Sequence, residues 1–220
     1  MRVRRDRFTS AFRIGDANGA VNRTGAAPRV AGTPATLQPD LISITLLDWK
    51  AMEILPEILQ RRSVRSFTAQ PLDKDQVERI LEAGRLAPSA KNRQEWRFIV
   101  VQKKETRQKM MEAAFSQDYV GQAPAIFVVC TTNIDYRMPN GQLSYPIDLA
   151  FASAHMVLQA VHEGLGTCCI TTFDEQEVRD LLTVPFSMRV VLLILVGHHD
   201  TQPEPTPRKQ LKQISARDHW

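Results

Sequence analysis

The residues with the clearest chemical potential lie at 61–67, where the stretch RRSVRSF places three arginines within five positions. Guanidinium groups bind phosphate through paired hydrogen bonds, and a serine hydroxyl or a backbone N–H can complete such a site. Arg61, Arg62, Ser63 and Arg65 are therefore candidate ligands for an anion. The same residues also fit the solvated C-terminal end of a short helix, where the helix dipole favours cations. Taken alone, the stretch leaves both interpretations open.

The distribution of charge shows that this cluster is local. The chain of 220 residues has a net charge of +4, and residues 1–50 contain eight Lys or Arg against four Asp. Residues 51–220 are therefore neutral overall, so we expect no nucleic-acid partner. Three cysteines give no disulfide framework, which predicts a reducing, cytoplasmic location. The histidines show no metal-ligand spacing, and no apolar run reaches the roughly 18 residues that span a bilayer, so neither a metal nor a membrane partner is expected.

Two further polar clusters stand out. In APSAKNRQEWRFIVV, residues 87–101, a Pro-Ser turn precedes two amides, Asn92 and Gln94. Amides carry both donors and acceptors, as needed to recognise the edge of a heterocycle. The alternative is a polar turn with Trp96 in the core. The third cluster, PRKQL at 207–211, is on its own a solvated surface segment.

Hydrophobic periodicity predicts the elements that carry these clusters. We expect structure to begin near Asp48, with a helix that either starts at Pro56 or is kinked there. A capping box of Asp73 and Gln76 begins the next helix, and Pro88 closes it. Strands are expected at 96–102, 125–132, 166–173 and 188–198, and further helices at 104–115, 146–164 and 173–182.

This order of elements predicts an α+β or three-layer α/β/α domain over residues 48–220. Residues 1–47 are rich in Arg, Gly, Ala, Thr and Pro, which predicts a disordered or dispensable extension. The sequence leaves three origins of this extension open: a natural tail, a transit-type peptide, or a start codon set too far upstream. Met52 would be a natural start for the domain. The helix at 146–164 is apolar around most of its circumference, which indicates burial in a core or across a subunit interface.

Taken in order, five sequence blocks resemble the FMN-dependent nitroreductase family. They are RRSVRSF, APSAKNRQEWRFIVV, GLGTCCITTFDEQEVRDLL, a strand that ends in VGHH, and PRKQL. The resemblance runs from about Met52 to Ile214. It implies a three-layer α/β/α sandwich with a central, mostly antiparallel sheet, and an intertwined homodimer with FMN at the subunit interface.

The resemblance also implies a role for each cluster. The serine and arginines near residue 63 would hold the FMN phosphate and ribityl chain, with Arg62 near the flavin edge and Arg208 as a second phosphate clamp. The turn at Pro88 would lie against the flavin of the partner subunit, with Asn92 at its pyrimidine side. A backbone N–H near Thr171 would point at flavin N5. The implied FMN-binding residues are Arg61, Arg62, Ser63, Arg65, Pro88, Ser89, Asn92, Cys169, Ile170, Thr171, Arg208 and Lys209.

The implied activity is that of an oxidoreductase that passes a hydride from NADH or NADPH to the flavin, and then electrons to nitroaromatic, quinone or similar acceptors. Donor and acceptor would occupy the same space in turn, which predicts ping-pong kinetics. A backbone donor at N5 stabilises the reduced flavin without a titratable side chain, so no catalytic acid, base or cysteine nucleophile is expected. Two alternatives keep the fold and FMN: a specialised reaction, such as reductive dehalogenation or metabolite oxidation, and a non-catalytic flavin sensor.

Two features depart from the family pattern. Cys169 and Thr171 replace the Trp and Gly of a C-W-I-G block, which would make the flavin wall smaller and more polar. The loop at 133–145 is short, which implies an open site with broad acceptance. Tyr136 and Tyr145 in this region would either stack on an aromatic substrate or pack against the protein itself.

Overall fold

A computed structural model describes residues 54–220 of the chain. The predicted extension 1–47 and its boundary with the domain lie outside the described residues, as do Trp49 and Met52 of the predicted first helix. The described residues contain all three polar clusters.

The centre of the domain is a four-stranded antiparallel sheet. Its strands are β1 (Trp96–Val101), β2 (Ala125–Thr131), β3 (Gly166–Ile170) and β4 (Arg189–Gly197), in the spatial order β1-β2-β4-β3. Every residue of β2 is buried, since this inner strand carries apolar residues on both of its faces. The predicted strands are confirmed, although β3 ends at Ile170 rather than at residue 173.

Six α-helices pack around this sheet within residues 54–220. They are α1 (Pro56–Gln60), α2 (Lys74–Arg85), α3 (Lys104–Ala113), α4 (Asp118–Gln122), α5 (Tyr145–His162) and α6 (Glu175–Leu182). α1 begins at its proline, because proline suits the first helical position, where no intrahelical N–H bond is lost. The predicted cap of α2 is confirmed, since the Asp73 N–H donates to Gln76 Oε1 over 3.0 Å. α4 was not predicted, because five residues are too few to show a helical period.

Two hydrophobic cores lie on opposite faces of the sheet. One core packs the sheet against α3, α4 and α6, through residues such as Met110, Val120 and Val178. The other packs it against α2 and α5, through residues such as Ile80 and Met156. The three-layer α/β/α architecture predicted from the order of elements is therefore confirmed.

The long helix α5 is buried on one side only within the described residues. Its inner face, which includes Leu149 and Met156, is almost inaccessible to solvent. Its outer face exposes Ile147 and Phe151, whose accessible fractions are 38% and 47%. Large exposed apolar side chains also lie in α1 and just before it. They are Ile54, Leu55, Ile58 and Leu59.

Polar contacts fasten α1 and α2 to the C-terminal end of α5. Glu57 of α1 contacts His162 Nδ1 through its Oε1 at 2.8 Å, and this hydrogen bond holds the pKa of Glu57 below its ordinary value. Arg79 of α2 pairs with Glu163 at 2.5 Å, and Gln159 Nε2 donates to the same carboxylate over 2.9 Å. These contacts fix the direction in which the chain leaves α1.

Within residues 54–220, no helix combines the length and the hydropathy needed to cross a bilayer.

Candidate active site

The arginine cluster lies on an extended segment, residues 61–68, that docks beside β3. The Val64 N–H donates to the Thr167 carbonyl over 2.8 Å, in a parallel bridge between Ser63 and Thr167. Farther along, the Thr68 N–H donates to the His198 carbonyl over 2.9 Å. The segment therefore extends the edge of the sheet by a short, parallel pairing.

Gly166 permits this close approach. A Cβ at this position would lie 2.9 Å from Val64 Cγ2 and 2.7 Å from His199 Cδ2, which is closer than carbon atoms pack. Val64 is almost fully buried, so its side chain has little room to withdraw. The absence of a side chain at Gly166 thus lets residues 61–65 pack directly against β3.

Because successive residues of an extended chain point to opposite sides, the segment presents two different faces. Arg61 and Ser63 line a cavity of about 310 Å³ between β3 and α5. The other residues around this cavity are Ala150, Ser153, Ala154, Val157, Thr167 and Cys169. Arg62 and Val64 instead line a separate cavity of about 200 Å³ near Gly166 and His199.

The arginines of this segment carry charge that the described residues do not neutralise. Within residues 54–220, none of Arg61, Arg62 and Arg65 forms an ion pair with a carboxylate. Arg62 donates to the carbonyl oxygens of Leu59 and Arg61, and Arg65 lies 5.8 Å from the centre of the Tyr119 ring. Such a concentration of positive charge beside a cavity suits an anionic ligand.

Ser153 contributes a second polar group to the cavity. The residue is 5% exposed, and its hydroxyl oxygen has no hydrogen-bond partner in the described part of the chain. A buried hydroxyl without a partner is unfavourable, and the structures of folded proteins contain few of them. A ligand with polar groups along its length could satisfy this hydroxyl after a rotation about its side-chain bond.

β3 places its three predicted site residues in three different environments. Cys169 faces the cavity, Ile170 packs into the core against α6, and Thr171 is exposed just beyond the strand. Within residues 54–220, the Thr171 N–H makes no hydrogen bond, so this donor is free for a ligand. The predicted contact between this N–H and flavin N5 stays a prediction.

The second polar cluster forms a tight turn after α2. Pro88, Ser89 and Asn92 lie on it, and a 3₁₀ turn spans Ala90–Asn92. The Gln94 N–H donates to Ser89 Oγ over 3.0 Å. None of these residues lines the cavity beside Arg61, so the single chain does not join the two clusters.

The two tyrosines near the short loop 133–145 pack against the protein. The ring of Tyr136 makes cation–π contacts with two basic side chains. The guanidinium of Arg93 lies 3.9 Å from the ring centre, and the ammonium of Lys91 lies 5.5 Å from it. The Tyr145 hydroxyl accepts a hydrogen bond from Arg189 Nη1 over 3.2 Å. These contacts favour the packing alternative over substrate stacking.

The third cluster lies on the exposed C-terminal tail. Arg208 donates to the Thr206 hydroxyl and the Pro207 carbonyl, both close in sequence, and Lys209 is exposed. Gln202 ties the start of the tail to α1, since its Nε2 donates to the Gln60 carbonyl over 2.6 Å. Neither basic residue lines the cavity, and their role as a phosphate clamp stays a prediction.

The cavity, the docked segment and the sheet can now be compared with known proteins. The sequence profile of the nitroreductase family matches residues 58–117 and 112–198. These ranges cover more than half of the chain.

The chain belongs to the nitroreductase family.

Relatives and solved structures agree with this assignment. The chain is 32% identical over 155 residues to an Archaeoglobus fulgidus protein with the provisional name NADH dehydrogenase/NAD(P)H nitroreductase. The aligned residues cover 66% of this chain and 85% of the relative. It is 28% identical to the NAD(P)H FMN reductase of Bacillus subtilis, over 76% of this chain and 74% of the relative. It superposes on the NADPH:FMN oxidoreductase of Vibrio harveyi, solved in complex with NAD⁺, with a TM-score of 0.68, 27% identity and coverage of 74% and 76%. The predicted family and fold class are confirmed.

Sequence reasoning missed several residues that build this candidate site. Gly166 has no local sequence signal, because its close approach to Val64 depends on a pairing between distant segments. Thr167 and Ser153 lie in apolar stretches and carry no pattern of their own. Asp148, which accepts a hydrogen bond from the Ala90 N–H over 2.8 Å, has no sequence signal because the two residues are 58 positions apart.

The pKa of Cys169 gives a testable property of the cavity wall. Cys169 is exposed as a residue, but the surrounding protein desolvates its sulfur atom. This desolvation raises the pKa of the thiol to about 11. The reactive thiolate is then about 300-fold scarcer at pH 7.5 than for an ordinary cysteine with a pKa near 8.5. We expect iodoacetamide to alkylate Cys169 in the flavin-free native protein correspondingly slowly, and faster as the pH rises toward 10. Peptide mapping measures the rate, with protein unfolded in guanidinium as the control. Labelling of native Cys169 as fast as that of free cysteine at pH 7.5 would contradict the raised pKa.

Proposed function

We propose that the protein is an FMN-dependent oxidoreductase that takes a hydride from NADH or NADPH and reduces nitroaromatic, quinone or similar acceptors by a ping-pong mechanism. The enzyme class and the cofactors FMN and NAD(P)H accord with membership of the nitroreductase family. The observation that carries the proposal is the arginine cluster at 61–65, which has no carboxylate partner in residues 54–220 and borders a cavity beside β3.

The residues present fit FMN. Its phosphate carries between one and two negative charges near neutral pH, and unpaired guanidinium groups are suited to bind it. Arg61 and Ser63 line the cavity, whereas Arg65 lies against Tyr119 and forms no ion pair with a carboxylate within residues 54–220. Ser153, whose hydroxyl has no partner within residues 54–220, lines the same cavity, where a polyhydroxylated ribityl chain could provide the missing partner.

When bound, FMN would accept a hydride from the nicotinamide and return electrons to the acceptor. The chain's own residues bind and orient it. The Thr171 N–H just beyond β3, which has no acceptor within residues 54–220, would be a fixed donor for negative charge on the ring, and it does not titrate. Cys169 faces the cavity as a neutral thiol, because its pKa is raised to about 11. In this proposal the nicotinamide and the electron acceptor occupy the same cavity in turn, as a ping-pong order requires.

The described surface supports a homodimer as the functional unit. The outer face of α5 exposes Ile147 and Phe151, and the neighbouring α1 adds further apolar side chains. Large exposed apolar side chains of this kind suit an interaction surface. The turn at Pro88 and the tail at Arg208 both lie away from the cavity of their own chain. A second copy packed on α5 would cover the apolar surface and bring such segments to a neighbouring cavity.

The activity is tested by anaerobic titration of purified protein reconstituted with FMN. NADH or NADPH is added, the flavin absorbance near 450 nm is followed, and a nitroaromatic or a quinone is then supplied. We expect bleaching by the nicotinamide, recovery of colour on adding the acceptor, and parallel lines in double-reciprocal plots. Bound flavin that neither nicotinamide reduces would contradict the proposal and favour the sensor alternative.

The arginine cluster gives a second prediction. Arg61→Ala and Arg65→Ala should each weaken FMN binding by about ten- to a hundredfold, the effect of losing a hydrogen bond to a charged group. Fluorescence titration of FMN with flavin-free protein measures the dissociation constant, and circular dichroism verifies folding. Arg85→Ala is the matched control, because Arg85 is exposed and, within residues 54–220, forms an ion pair only with the exposed Glu82. Wild-type FMN affinity in both cluster variants would contradict the assignment.

The dimer gives a third prediction. Size-exclusion chromatography with light scattering should find the wild-type protein at twice the chain mass of 24.9 kDa. Phe151→Asp should yield monomers, since it places a charge on the apolar face of α5. Phe186→Asp is the control, because Phe186 is 82% exposed and lies on the loop after α6, away from α5. A monomeric wild-type protein, or a dimeric Phe151→Asp variant, would contradict this surface assignment.

A further inference from the structure

The turn that follows α2 has an unusual backbone. Lys91, Asn92 and Gln94 all have positive φ angles, of 52°, 54° and 53°. Residues with a Cβ rarely adopt this left-handed conformation, because it brings the Cβ close to the backbone. Three such residues among four positions form a strained turn that persists only where surrounding contacts hold it.

One buried carboxylate connects this turn to the body of the domain. Asp148 lies in the first turn of α5 and is 6% exposed, and its Oδ1 accepts a hydrogen bond from the Ala90 N–H over 2.8 Å. No other hydrogen bond joins residues 88–94 to α5 within the described residues. A carboxylate is favoured near the N-terminal end of a helix, and charge-assisted hydrogen bonds to carboxylates are stronger than neutral ones.

The other contacts of the turn do not reach the core. Ser89 Oγ accepts from the Gln94 N–H, and Gln94 Nε2 donates to the Asn92 carbonyl, so both bonds stay within the turn. Lys91 and Arg93 lie against the ring of Tyr136, which is itself on a loop. Within residues 54–220, the bond to Asp148 is therefore the one hydrogen bond that joins the turn to α5, beside the apolar packing of Ala87.

α5 also carries one wall of the arginine-lined cavity. Ser153 and Val157 face that cavity one and two turns beyond Asp148 on the same helix. A single rigid helix thus fixes both the cavity of its own chain and the turn that, in the proposed dimer, serves the cavity of the partner.

We propose that Asp148 is a positioning residue, whose carboxylate holds residues 88–94 in the conformation that presents Ser89 and Asn92 to the flavin of the partner subunit. The proposal rests on the proposed function for its flavin. The link between Asp148 and the turn stands on the described contacts alone.

The test compares three variants of the full-length chain. Asp148→Ala removes the acceptor, Asp148→Asn keeps an oxygen acceptor of the same shape, and Ala152→Gly destabilises the same helix on its core-facing side without touching the turn. Hydrogen exchange of the peptide containing Ala90 is measured in flavin-free protein, and the FMN dissociation constant by fluorescence titration. Thermal unfolding is measured for every variant.

We expect Asp148→Ala to speed exchange at Ala90 and to weaken FMN binding by about tenfold or more, as for the loss of one hydrogen bond to a charged group. Asp148→Asn should restore both properties to within about threefold of wild type, a margin smaller than the effect of one hydrogen bond. Ala152→Gly should lower the melting temperature but leave both properties unchanged. If Asp148→Ala does not fold, Asp148→Glu replaces it, since the extra methylene displaces the acceptor, and the same losses are expected.

Three results would overturn the proposal: unchanged FMN affinity in Asp148→Ala, equal losses in Asp148→Asn and Asp148→Ala, or an equal loss of FMN affinity in Ala152→Gly. Faster exchange at Ala90 with unchanged FMN affinity would overturn the positioning role and leave the proposed function standing. A wild-type chain that binds no FMN would instead overturn the proposed function, and with it the flavin role of Asp148.

Discussion

The site depends on one close contact, the packing of Val64 against Gly166 at the start of β3. This contact and the hydrogen bond from the Val64 N–H to the Thr167 carbonyl hold residues 61–65 in an extended conformation along the sheet. Extended geometry then turns Arg61 and Ser63 to one side and Val64 to the other. Without this docking, the arginines would be three flexible surface charges; with it, Arg61 borders the cavity beside α5 and Arg62 borders the cavity near His199.

In the proposed dimer, the two-sided character of α5 would explain why each chain carries only part of the site. Its inner face builds the core, its edge lines the cavity through Ser153, and its outer face exposes apolar residues such as Phe151. The strained turn and the basic tail lie away from that cavity. If two copies pack together and share the site, this single contact would account both for the exposed apolar surface and for the distance between the polar clusters within one chain.

The sequence predicts the elements better than it predicts the site. The strands and the capped helix α2 follow from local patterns, namely apolar runs and the Asp73–Gln76 box, and the structure has them. The site depends on contacts between distant residues, such as Gly166 with Val64 and Asp148 with Ala90, which leave no periodic signal. The side on which Arg62 lies likewise depends on how its segment docks on β3. The arginine cluster could be predicted as an anion site because a local concentration of charge can be recognised in the sequence, whereas packing between distant residues cannot.

The most direct test of this account compares the dissociation constants of FMN and riboflavin, which differ only in the phosphate, for the same flavin-free protein at the same ionic strength. Unpaired guanidinium groups that bind the phosphate should make FMN bind at least about a hundredfold more tightly, since two hydrogen bonds between charged groups would be lost with riboflavin. Raising the salt concentration should narrow this difference, because screening weakens the charge interaction. Equal affinity for the two flavins would contradict the assignment of residues 61–65 as a phosphate site.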